Sequence, residues 1–169
     1  MMLNRVARAL AGILFGAAIV FAGNVSTTLA QGEGTSITYP TATDEDNVAI
    51  RGYDPVSFFV SDTAKKGSEE FAVTYNDAIY HFASEANQQR FMSNPAKYAP
   101  RFGGFCPVNL AEGQVVKGDP SHYQIVDGRL YLCNSSQASK SFKASTTDVI
   151  GGATEQAPAA LATHSTRGR

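Results

Sequence analysis

Tryptophan is absent from the 169 residues, histidine occurs three times and cysteine twice. Chemistry-bearing motifs are equally sparse. The chain has no G-x-S-x-G nucleophile elbow, no C-x-x-C pair, no H-E-x-x-H helix and no phosphate-binding glycine loop. Their absence sets aside the common hydrolase, redox-motif, metalloprotease and nucleotide-binding readings. Basic residues are not in excess: 14 Lys and Arg stand against 15 Asp and Glu, with no basic stripe. Such a surface exerts no long-range pull on nucleic acid or anionic lipid, so a nucleic-acid partner is not expected. No apolar run reaches the roughly 20 residues that a membrane-spanning helix needs. Aromatic residues stop at Phe142, and the last 27 residues contain none.

The longest apolar stretch, Ala9 to Gly23, is short, uncharged and rich in small residues. Arg5 and Arg8 precede it, and Thr28-Leu29-Ala30 follows as a small-x-small cleavage site. This is the pattern of a cleavable signal peptide over residues 1–30. It predicts a periplasmic or secreted product that starts near Gln31 and keeps no stable membrane anchor. No cysteine follows the apolar run, so a lipid anchor is not expected there. Loss of the two arginines leaves 12 basic and 15 acidic side chains, a charge of −3.

Residues 31–46 are polar, with scattered Gly, Pro and Thr, and read as a flexible arm. Aromatic residues then become dense, which places one small domain at residues 47–143. The tail 144–169 is mostly Ala, Thr, Gly and Ser. It has no evident means of building a core and is expected to be disordered. Within the domain, Asp54-Pro55 reads as a helix start, with a capping Asp and a proline at the first helical position. FAVTY (71–75) and AIYHFA (78–83) alternate around Asn76-Asp77 as a hairpin. Ser84 caps a helix running to Met92, and Asn94-Pro95 opens one further turn. Cys106-Pro107 opens another short helix, closed by Gly113. YQIVDGRLYLC (123–133) is a second hairpin turning at Asp127-Gly128. Ser135 or Ser136 caps a last helix to about Lys143. Short helices beside two antiparallel hairpins predict an α+β single domain.

The motifs GYDPVSFF (52–59), IYHFASEANQQRFMSNPAKYAPRFGGFC (79–106), KGDP (117–120) and IVDGRLYL (125–132) occur in that order. Together they look like an exported bacterial YHS-domain protein, and the resemblance covers essentially all of the domain and neither tail. The resemblance implies a metal-associated binding module, of the copper or zinc class, rather than an enzyme. Metal-binding members of that family resemble a pattern with cysteines after Asp-Pro-Val and in a Phe-Cys-Ser-x-x-Cys segment. In this chain Ser57, Ala83 and Asn87 stand at those positions. The Gly-Gly-aromatic-Cys element at 103–106 looks typical of the exported branch, whereas Cys133 is particular to this chain.

Cys106 is the leading chemical candidate. A thiol at the start of a helix has a lowered pKa, and as a thiolate it would ligate a soft metal. His81 and His122 are the candidate co-ligands. Against that set stands a disulfide from Cys106 to Cys133. Such a bond would close 26 intervening residues and contribute about 3–4 kcal/mol in the chain-entropy account. A buried, inert thiol is the third reading. Tyr53, Asp54, Tyr80, Phe102, Gly103, Gly104 and Phe105 are expected to line a small apolar ligand pocket near the glycine pair. The function expected is an exported module binding a metal ion or small ligand. The alternatives are a structural or protein-interaction domain that has lost metal binding, and a thiol-dependent enzyme using Cys106.

Overall fold

The computed structural model describes residues 38–61 and 63–167. The expected signal peptide and residues 31–37 of the polar arm lie outside these residues. The described part is α+β, as expected, with two separate two-stranded antiparallel sheets and six α-helices. No helix among the described residues is long and apolar enough to cross a membrane.

The first hairpin pairs β1 (Ser68–Tyr75) with β2 (Ala78–Phe82). Asn76 and Asp77 turn it with φ of 48° and 58°. These two residue types tolerate left-handed backbone because their short polar side chains bond locally. Along β2, Ala78, Tyr80 and Phe82 are buried, while Ile79 and His81 take the other face. The second hairpin pairs β3 (Tyr123–Val126) with β4 (Arg129–Leu132), with Asp127 and Gly128 at the turn.

Capping sets the helix starts. Ser84 accepts the Asn87 N–H at the head of α2 (Glu85–Ser93). Asn94 does the same for Lys97 in α3 (Pro95–Tyr98), and Ser135 for Ala138 in α5 (Ser136–Ala144). Helix α4 (Pro107–Ala111) follows Cys106 and ends at Gly113, whose φ is +73°. Helix α1 (Ser57–Val60) starts three residues after Asp54, not at Pro55, because Asp54 first organises a turn through Pro55 and Val56.

The expected disorder of the tail is corrected. Residues Thr146–Arg167 form a 22-residue helix, α6. Ala153, Ala157 and Leu161 recur every fourth residue and are 0%, 0% and 2% exposed. That spacing makes one helix face. Gly152 adds close approach, since a Cβ there would stand 3.1 Å from the Ala111 Cβ of α4. A segment without large side chains builds no core alone. Here aromatic residues elsewhere in the chain supply the opposing surface, and alanine favours the helix.

The core is two clusters. The first gathers Val56, Phe58, Tyr80, Phe82, Phe91, Leu130 and Leu132. Phe91 packs on Tyr80 and Phe82, with ring centroids 5.1 Å away in each case. The second gathers Phe102, Phe105, Cys106, Leu110, Tyr131, Cys133, Phe142 and the buried face of α6. Strand β4 and the residue after it alternate between them. Leu130 and Leu132 enter the first cluster, and Tyr131 and Cys133 enter the second. The period of two that sends successive side chains to opposite faces produces this division.

Candidate functional site

Asp54 occupies the first cluster and is fully buried. One carboxylate oxygen accepts the Val56 and Ser57 N–H groups at 2.8 and 3.3 Å. The other accepts the Ala83 N–H at 3.0 Å and the Asn87 amide at 2.6 Å. Ser57 Oγ donates to the Asp54 carbonyl at 2.7 Å and accepts the Lys65 N–H at 2.9 Å. Positions 57, 83 and 87 thus meet around one carboxylate, although they lie on three different segments. These are the positions where the YHS resemblance would place metal-binding cysteines. A carboxylate offers about four lone-pair sites, and four donors fill them. The centre is a buried anion satisfied by hydrogen bonds, which is the condition for burying it at all.

The three-ligand set His81, His122 and Cys106 is not brought together. Among the described residues, no group of three or more His, Cys, Asp and Glu is arranged to hold a metal. Strand alternation turns His81 away from Tyr80, and its Nδ1 faces Gly52. His122 ends a short turn, Pro120–His122, before β3. Cys106 lies in the second cluster.

Cys106 instead meets Cys133. Both thiols are fully buried and free in the same cluster, and the Cys133 side chain is the main influence on Cys106. The backbone holds each in place. The Cys106 N–H donates to the Val116 carbonyl at 2.8 Å, and the Cys133 N–H to the His122 carbonyl at 3.0 Å. The Cys106 thiol lies 3.5 Å from Asn134 Oδ1. The hydrogen bond from Cys133 is the main cause that lowers Cys106 to about 6. Burial works against this, and backbone N–H groups of Asn109, Asn134 and Val108 work with it. Cys133 moves far above the ordinary thiol range, because it donates that bond, is buried and stands beside the charge on Cys106. The pair therefore releases one proton readily and retains the other. Asn134 was not singled out in the sequence, and its position next to Cys133 is the only signal it carries there.

The expected apolar pocket divides. Asp54 belongs to the closed centre just described. Tyr53 lies under the Lys66 ammonium, 4.4 Å from its ring centroid. Gly104 lines a cleft of about 110 Å³ with Arg51 and Lys117, and Phe105 packs against His164 at 5.9 Å. Tyr80, Phe102 and Gly103 do share a cavity, of about 180 Å³. Its wall is not apolar: Thr41, Asn76, Arg101 and Arg129 are among the residues that line it, with Tyr39 and Tyr75. Gly103 is required where the arm crosses, since a Cβ there would stand 1.9 Å from the Pro40 carbonyl oxygen.

Comparison of the chain with protein-family models, with curated proteins and with solved structures gives no match to any of them.

Proposed function

We propose that this chain is an exported, YHS-like binding module that holds a soft metal ion of the copper class between Cys106 and Cys133. The observation that carries the reading is a pair of buried free thiols in one cluster, with the Cys133 side chain lowering Cys106 to about 6. Thiolates select Cu(I) over harder ions, and they must be deprotonated to bind. The donor set speaks against the zinc class. Structural zinc takes four N or S ligands, and only these two sulfurs meet here. A monovalent soft ion accepts fewer donors, and the apolar wall of Phe102, Phe105, Leu110 and Phe142 keeps water from competing. The Asp54 centre takes no part, since its lone pairs are already used. Binding fits better than catalysis: Cys106 has no exposure, and neither candidate histidine stands beside it as a base. The signal-peptide pattern read in residues 1–30 supports a periplasmic or secreted setting for this task.

The test loads the reduced protein with Cu(I) under a competing chelator. One copper per chain is expected, falling to background in Cys133→Ser and in Cys106→Ser. Equal retention by a variant lacking both cysteines, or no retention by the reduced parent, defeats the proposal. An isolated protein two mass units light, whose copper uptake does not appear on reduction, marks the pair as a structural disulfide instead.

A further inference from the structure

The cavity shared by Tyr80 and Phe102 lies where the two core clusters meet, since Tyr80 belongs to the first and Phe102 to the second. No aspartate or glutamate lines it, while two arginines do. Among the described residues neither Arg101 nor Arg129 has an acidic partner, the single ion pair being Arg51 with Asp119. One Arg129 nitrogen donates to the Ala96 carbonyl at 2.6 Å. That bond anchors the side chain and leaves other guanidinium donors free, since the group carries five. The Arg101 guanidinium stands 5.7 Å from the Phe102 ring centroid. Phe102 holds a φ of +55°, a left-handed conformation that an aromatic residue rarely adopts. Such strain persists where surrounding structure enforces it, and it concentrates at ligand sites. Tyr39 and Tyr75, both part-exposed, add aromatic faces to the same wall, and the buried Tyr80 packs behind it. Burial raises Tyr80 to about 12, with its hydrogen bond to Thr41 opposing and Tyr75 adding to the rise. Its hydroxyl therefore stays protonated at neutral pH and remains a donor.

We propose that this cavity is a binding site for a small aromatic carboxylate, with Arg101 and Arg129 taking the carboxylate and the part-exposed Tyr39 and Tyr75 taking the ring. Guanidinium groups match the planar carboxylate, and phenol faces match an aromatic body. The volume of about 180 Å³ falls below the ~300–1,000 Å³ typical of drug-sized ligands. It limits the ligand to about one ring. The site shares no residue with the thiol pair, so either proposal can fail alone.

Benzoate is the probe and benzyl alcohol its neutral counterpart, titrated into the full chain and followed by amide NMR shifts and tyrosine emission. The chain has no tryptophan to mask the tyrosines. Saturable binding of benzoate is expected, with benzyl alcohol weaker because it offers the two guanidinium groups no carboxylate to pair with. Arg101→Gln with Arg129→Gln should weaken benzoate by ~10-fold or more and leave benzyl alcohol unchanged. Lys97→Gln, outside the cavity wall, should bind as the parent does. No saturable benzoate binding, equal affinity for the alcohol, or an unaffected double arginine variant would each overturn the proposal. The amide spectrum of the double variant shows whether it is folded, and single variants replace it if it is not.

Discussion

Asp54 and Cys106 are both fully buried, each in its own hydrophobic cluster, and their surroundings finish differently. Around Asp54, two backbone segments and the Asn87 amide use the lone pairs of the carboxylate completely. Around Cys106, the main partner is another thiol that can itself lose a proton. A buried group with all its bonds made contributes architecture. One whose partner is also ionisable keeps a chemistry in reserve. The first centre joins positions 57, 83 and 87 on one carboxylate and is closed. The second brings two free thiols into one cluster and is not.

The largest effect separating the two centres should come from Asp54→Ala. It strands the Asn87 amide and the Ala83, Val56 and Ser57 N–H groups, at a cost of about 3–5 kcal/mol. Urea unfolding measures this, and a loss below about 1 kcal/mol would mean the carboxylate is not the keystone of its cluster. Leu161→Ala tests whether the thiol cluster depends on α6. It should cost roughly 2–5 kcal/mol as a large-to-small core substitution. A disordered tail would instead leave the denaturation midpoint unmoved.

Tyr80 sharpens the comparison through pH. Its folded pKa of about 12 lies above the ordinary 10.0, so the native state holds the phenol proton more tightly than the unfolded chain does. The stability tied to that proton is whole below pH 10 and is lost as pH rises toward 12. The loss amounts to about 2–3 kcal/mol at 1.36 kcal/mol per pH unit. Alkaline unfolding of Tyr80→Phe should lack this part of the decline.

The smallest change in stability, and the most specific change in chemistry, is expected from Cys133→Ala. Alanine removes the S–H donor outright, so Cys106 should titrate closer to 9 than to 6. Thiolate absorbance followed against pH reads this directly. In the parent, stability linked to the Cys106 thiolate is complete above pH 9 and falls as pH drops toward about 6. A Cys106 titration identical in the two proteins would remove Cys133 as the controlling partner.

Much of the scaffold was legible from local signals. Asn76-Asp77 and Asp127-Gly128 between alternating strands identify both hairpins, and Ser84, Asn94 and Ser135 identify three helix starts. These rules act within a few residues and leave marks in composition. Helix α6 was misread for the same reason. Its burial depends on a surface made by α4 and Phe142, and small residues at 152, 153 and 157 look like loose chain until that surface is present. The candidate site was legible only in part. Cys106 stood out for its glycine-flanked setting, and Tyr80 for its strand phase. The arginines of the cavity did not, because Arg101 and Arg129 resemble any solvated charge until the fold turns them to one wall.

What the amino-acid order determined alone is therefore the set of turns, caps and strand phases, including which face of β2 carries His81. Those depend on backbone preferences and side-chain period, both of which are local. Only the tertiary structure decided that His81 and Cys106 would not share a site, that Asp54 would close on positions 57, 83 and 87, and that two sulfurs 27 positions apart would enter one cluster. Each outcome depends on which hydrophobic faces cover one another. That matching is set by the whole core at once, because apolar burial has no direction of its own and is completed only when every face has found a partner.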